Sequence, residues 1–170
     1  ARVWDTVSGS EMMQIPLDVR GTAVLFSEDG TKLIVGDAVG GITLWDTSRL
    51  LTRLNIIESP ELVRESRYSP SGEWLAVNTD KRDVWLLPIE NTLEIKDGTE
   101  GEEIFKTEGI SYDLGFSDNS QWMAAAVSRG DQVVLYNLET QVSNLLTHGD
   151  ETNAFAFSPD NTTIAIAGED

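Results

Sequence analysis

The sequence has no cysteine and a single histidine, His148. Without cysteine there are no disulfides, no thiolate metal ligands and no sulfur nucleophile. A chain of 170 residues can bury a core without such staples. Positive charge is also scarce: 12 Lys and Arg stand against 29 Asp and Glu, a net charge of −17. That field repels phosphate backbones and anionic bilayers, so nucleic acids and membranes are excluded as expected partners. No apolar run reaches the ~18 residues of a membrane span. No segment keeps helical spacing over three turns. The first residue is Ala1 and no signal-like stretch follows it. The expectation is a cytoplasmic protein, and a piece cut from a longer one.

What is present is a repeat. Hydrophobic residues make up 40% of the chain and there are five Trp, which argues against disorder. Four segments align: FSEDGTKLIVG (26–36), YSPSGEWLAVN (68–78), FSDNSQWMAAA (116–126) and FSPDNTTIAIA (157–167). Their leading aromatics, Phe26, Tyr68, Phe116 and Phe157, are 42, 48 and 41 residues apart. The longest interval holds the polar stretch Asn91 to Glu103, which reads as a loop insertion. In each copy an apolar run ends in the aromatic, and a Ser with Asp, Asn, Gly or Pro close behind predicts a tight turn. A second apolar run follows, then a third such as ITLWD (42–46), DVWLLP (83–88) or VVLYN (133–137), then a weaker fourth.

Four short strands per period of roughly 40 to 45 residues is the pattern of a propeller blade. Blades stack face to face, so their second strands should be near-continuous apolar runs, with Ala76, Ala124 and Ala165 letting neighbouring sheets approach. The expected layout is a half blade at 1–18, full blades at about 22–58, 63–109 and 110–149, and a half blade at 151–170. The halves would join into one blade if Asp170 met Ala1; a parent ring of about seven or eight blades is the alternative.

These residues resemble the WD-repeat (WD40) family over essentially the whole chain. THGDETNAFAFSPDNTTIAIAGED (147–170) is similar to the first part of that family's repeat, and ARVWD (1–5) and ITLWD (42–46) to its end. The resemblance implies an all-β, WD40-type β-propeller of about four blades of four antiparallel strands, three of them complete and two half blades. It also implies a structural network of His, Ser or Thr, Asp and Trp, roles that fall by position on His148, Asp170, Trp4 and Trp45. The departures are considerable. Val39 and Gly130 stand where the turn Asp belongs, Leu87 and Tyr136 where the Trp belongs, and Ile166 where the Ser belongs. Stability should therefore rest more on packing than on that network. The wording of the repeats is most similar to bacterial WD-repeat proteins, whose propellers often follow a signalling domain and act as its sensor or scaffold.

The expected function is thus protein binding, with other proteins or peptides, basic ones favoured, and the remaining blades of a parent propeller as partners. No cofactor or metal is expected. Thr22, Arg64, Tyr112 and Asn153 lie four residues before the four aromatics and so recur around the ring, near the face where the first strands begin. Arg64 and Tyr112 are suited to interface hot spots. Trp74 and Trp122 occupy a column otherwise filled by Lys32 and Thr163; they read as interface residues or as blade-edge residues half covered by a neighbouring strand. The competing class is a propeller-fold hydrolase or metal-dependent enzyme with its site in the central mouth. It would need converging His or carboxylate ligands at matching blade positions, and no repeat-phased acidic column is seen. The acidic turns lack the ligand spacing of a Ca²⁺ loop, and the carboxylates Asp97, Glu100, Glu102 and Glu103 read as a solvated loop. VGDAVGG (35–41) lacks the following Lys and helix of a phosphate loop. Asn161-Thr162-Thr163 is a glycosylation sequon, meaningful only in a secreted eukaryotic protein.

Overall fold

The computed structural model describes residues 1–48, 62–80, 83–89, 111–127, 131–147, 149 and 151–169, together with the backbone of 52–58 and 102–106. The side chains of 52–58, 102–106, 111, 112 and 127 fall outside that description. The described residues form 16 strands and no helix. A two-stranded sheet pairs β1 (Arg2–Trp4) with β2 (Glu11–Gln14). Three four-stranded antiparallel sheets follow. Blade I runs β3 (Gly21–Phe26), β4 (Lys32–Asp37), β5 (Gly41–Asp46), β6 (Thr52–Glu58). Blade II runs β7 (Val63–Tyr68), β8 (Trp74–Thr79), β9 (Asp83–Pro88), β10 (Glu102–Lys106). Blade III runs β11 (Ser111–Phe116), β12 (Trp122–Val127), β13 (Gln132–Asn137), β14 (Val142–Thr147). A last two-stranded sheet pairs β15 (Thr152–Phe157) with β16 (Ile164–Gly168). The first strands β3, β7, β11 and β15 contact one another in turn, so they form the inner layer.

The second strands behave as doubly covered strands must. Leu33, Ile34, Val35 and Gly36 of β4 are buried in succession, as are Leu75 to Thr79 of β8 and Met123 to Ala126 of β12. Ala76 and Ala124 are fully buried, as the small-residue expectation requires. Ala165 departs from it and is exposed, because among the described residues no sheet covers that face of β15–β16.

Each blade is fastened to the next by apolar side chains from both faces. Ile34, Ile42 and Leu44 of blade I meet Val63, Leu75 and Val77 of blade II. Ala76, Val84 and Leu86 of blade II meet Leu114, Met123 and Tyr136 of blade III. Ala124, Ala126 and Val133 of blade III receive Phe155, Phe157, Ile164 and Ile166. Large residues sit on small ones: a Cβ at Gly115 would come within 3.3 Å of the Phe155 ring. Full burial of one Leu, Phe or Met side chain contributes about 1.5–3 kcal/mol, so these clusters supply most of the cohesion.

Among the described residues, one Trp of the polar network makes no side-chain hydrogen bond in it and the other stands in the open. Trp45 packs against Ile15, Leu33 and Val35, yet its buried indole N–H finds no hydrogen-bond partner among the described residues. Trp4, the other residue placed in that role, is 52% exposed. His148, Asp170 and Gly130 lie outside the described residues.

Candidate functional site

The four inner strands share one irregularity. In each, the pairing with the second strand slips by one residue near its start: between Gly21 and Ala23, Val63 and Glu65, Ser111 and Asp113, and Thr152 and Ala154. The extra residue in each case is Thr22, Arg64, Tyr112 or Asn153. A β-bulge leaves its extra residue out of the ladder and re-aims its side chain. The four positions singled out from repeat spacing are therefore the four bulge residues, brought to one level of the inner layer. Arg64 and Asn153 are exposed. Thr22 is half-buried, and its hydroxyl donates to the Val63 carbonyl at 3.3 Å, tying the first bulge to the second. The side chain of Tyr112 lies outside the described residues.

Spacing alone missed the carboxylates beside the bulges. Glu65 follows Arg64, and Asp113 follows Tyr112. Asp113 Oδ2 accepts the Phe155 N–H at 3.2 Å, a contact across 42 residues. Glu65 pairs with Arg67. Burial holds the Glu65 carboxyl above its ordinary range; Arg67 opposes the rise and the Asp113 carboxylate adds to it. The signal available in sequence was an acidic residue directly after the recurring position, in two of four copies. This bulge level therefore combines an exposed Arg and Asn with half-buried carboxylates, which suits polar recognition of a peptide or a side chain.

Trp74 and Trp122 open β8 and β12 at the other end of the blades, beyond the turns, so they are not brought together with the bulge residues. Both are half-buried, and Trp74 packs against the cluster between blades II and III. Their amides donate to Ser69 Oγ and Ser117 Oγ, each at 3.0 Å.

Those two serines belong to a motif used four times. Ser27, Ser69, Ser117 and Ser158 each open a turn whose fourth residue returns its N–H to the Ser carbonyl, at 2.8–2.9 Å. Each Ser hydroxyl also accepts the N–H five residues on and hydrogen-bonds the side chain two residues on: Asp29, Ser71, Asn119 and Asp160. The Ser27 hydroxyl, and after it the N–H and hydroxyl of Thr31, hold the Asp29 carboxyl down to about 2. The Asp160 carboxyl is lowered by the same set, Ser158 first and then Thr162. These carboxylates are committed to turn closure. In the next turn of blade I, Val39 is exposed at the expected Asp position, and Asp37 does the capping instead: its Oδ1 accepts the N–H groups of Val39 and Gly41 at 2.9 and 2.8 Å. Among the described residues no group of three or more His, Asp or Glu could hold a metal ion. Asp97 and Glu100 lie outside the described residues, as do the side chains of Glu102 and Glu103.

Three blades of four antiparallel strands, stacked face to face around an inner layer, define a β-propeller. The comparisons agree with this. The β-propeller domain of Cps50 (Swd1) from Myceliophteria thermophila superposes with a TM-score of 0.69 at 17% identity, over 87% of this chain and 47% of that one. An uncharacterized WD repeat-containing protein of Synechocystis, sll1491, is 29% identical over 103 residues, 60% of this chain. The matched region covers only 28% of that relative's length. No protein-family model matches the chain. The chain therefore has the β-propeller fold, and its sequence is similar to that of a WD repeat-containing protein.

Proposed function

We propose that this propeller is a non-catalytic interaction scaffold or sensor, part of a larger cytoplasmic signalling protein of bacterial type, whose blades hold a partner at the ring of bulge residues. One observation carries the reading: Thr22, Arg64, Tyr112 and Asn153 all leave the ladder at the same level of successive inner strands. Side chains freed from sheet pairing at equivalent positions form a recognition surface on a rigid frame. The net charge of −17 and the carboxylates of Glu65 and Asp113 favour basic partners and speed their approach at low salt.

The test is selection of displayed random peptides on the immobilised chain, followed by titration of the enriched sequences. The expected peptides are basic, bind more slowly as salt rises, and lose about tenfold or more in affinity to the Arg64→Ala/Tyr112→Ala variant, as befits hot-spot residues. Peptides indifferent to both the double substitution and salt would sink this reading.

A further inference from the structure

The four Ser-led turns lie at the end of the blades opposite the bulges, and at two of the three junctions between them the same contact recurs. The third residue of one turn donates its backbone N–H to the side chain of the fourth residue of the next. Ser71 N–H donates to Ser120 Oγ at 2.8 Å. Asn119 N–H donates to Asn161 Oδ1 at 3.1 Å. The equivalent donor in blade I is the Asp29 N–H, and the equivalent acceptor position in blade II is Gly72, which has no side chain. The contact is therefore missing between blades I and II. A cleft of about 240 Å³ opens in its place, lined by Ser27, Glu28, Asp29 and Lys32 on one side and Pro70, Ser71 and Gly72 on the other.

We infer that this notch is a docking site for a single carboxamide side chain, an Asn or Gln on an exposed loop of a partner protein, whose carbonyl oxygen takes the exposed Asp29 N–H, to which Gly72 offers no side-chain acceptor. The chain's own solutions at the two neighbouring junctions define the chemistry: an oxygen acceptor on a short side chain, once a hydroxyl and once a carboxamide. A carboxylate in the same place would face the Glu28 and Asp29 carboxylates, two negative charges against the single positive charge of Lys32. A carboxamide adds an NH₂ donor for those oxygens or for Ser71. The volume suits one side chain and falls short of the ~300–1,000 Å³ of cofactor-sized pockets. The notch is separate from the bulge ring, so the two sites stand or fall independently.

The molecule also supplies the means of filling the notch from within. Gly72 has φ of 73°, and its counterparts Ser120 and Asn161 hold 57° and 61° with ordinary side chains. Nothing lies within 4 Å of a Cβ built at Gly72. Gly72→Asn should therefore fold and place its own carboxamide where the partner's would go; Gly72→Ser, copying Ser120, serves if it does not. The experiment is amide NMR on the full chain. In the unmodified protein, N-acetyl-asparagine methylamide should shift the Asp29 amide saturably, and N-acetyl-leucine methylamide should not. In the Gly72 variant the shift should vanish. Exchange of the Asp29 amide should also slow by about tenfold, the protection given by one net hydrogen bond of about 1.4 kcal/mol. An Asp29 amide that ignores the asparagine probe, answers both probes alike, or still responds in the variant would overturn the proposal. So would unchanged exchange in the variant.

Discussion

Ser71 and Ser120, 49 residues apart, are joined by a hydrogen bond from the Ser71 N–H to the Ser120 hydroxyl at 2.8 Å. Ser120 holds a left-handed backbone, φ 57°, to make it. Two opposing terms follow. The tie contributes about 0.5–1.5 kcal/mol, and the left-handed conformation costs a non-glycine residue roughly 1–2 kcal/mol. Ser120→Ala should lose the tie and keep the strain, lowering Tm by about 2–4 °C. Ser120→Gly should lose both and stay near the parent value. Equal destabilisation in thermal melts of the two variants would contradict this division.

The opening serine of each turn should matter in proportion to its burial. Ser117 is fully buried, accepts the Trp122 N–H at 3.0 Å and donates to Asn119 at 2.7 Å. Ser117→Ala strands that amide and should cost about 1–3 kcal/mol. Ser158, in the more open last turn, makes the same bonds nearer to water, and its replacement by Ala should cost less than about 1 kcal/mol. Urea midpoints of the two variants give the comparison.

Acid should act on the turns through Asp29 and Asp160. Both carboxyls are lowered in the folded chain, Asp29 to about 2. A lowered carboxyl stabilises the fold above its unfolded value of 3.8, and that contribution disappears as pH falls through the folded value. Stability should therefore drop between pH of about 4 and 2. The Asp29→Asn/Asp160→Asn variant, built on the pattern of Asn119, should show a flatter profile there. Identical acid limbs in the two proteins would contradict the assignment.

Glu65 should behave in the opposite sense. Its carboxyl is raised, chiefly by burial, so its protonated form favours the fold at low pH and that advantage is lost as pH rises through the raised value. Glu65→Gln should be stabilising at neutral pH. After allowance for screening at a half-buried site the gain is under about 1 kcal/mol, or ~2 °C in Tm. The gain should shrink below pH of about 4. A variant less stable than the parent at pH of about 7 would show that the Arg67 pairing outweighs burial.

Packing between blades should dominate all of these. Leu75 is fully buried between blades I and II, and Leu75→Ala should cost about 2–5 kcal/mol. Leu145, 55% exposed on β14, should tolerate Ala within about 0.5 kcal/mol. Denaturant titrations of the pair test whether inter-blade burial carries the stability.

The all-β architecture was legible because each repeat punctuates itself. An aromatic, a Ser-led turn and an uninterrupted apolar strand recur at one period, and strands covered on both faces leave no polar face to confuse the pattern. The recurrence of Thr22, Arg64, Tyr112 and Asn153 was legible from the same spacing. That they are bulges was not, because a bulge is a relation between two strands and leaves no mark in either alone. The capping role of Asp37 was hidden for a similar reason: the expected position holds Val39, and a carboxylate two residues earlier reaches the same amides. Trp4 and Trp45 look alike in sequence, but among the described residues Trp45 packs into an apolar cluster and Trp4 is left exposed. Exposure of Ala165 could not be read from its alanine-rich run, since it depends on what packs outside the strand.

The bulges also bear on how such a chain could change over time. A residue outside the ladder can be replaced without breaking strand register, whereas its neighbours in the same strand are held by pairing on one side and by the next blade on the other. If the bulges bind a partner as proposed, recognition and folding are written largely in separate positions of each repeat. A duplicated blade can keep its frame and acquire a new specificity at one residue, so selection for binding need not contend with selection for stability.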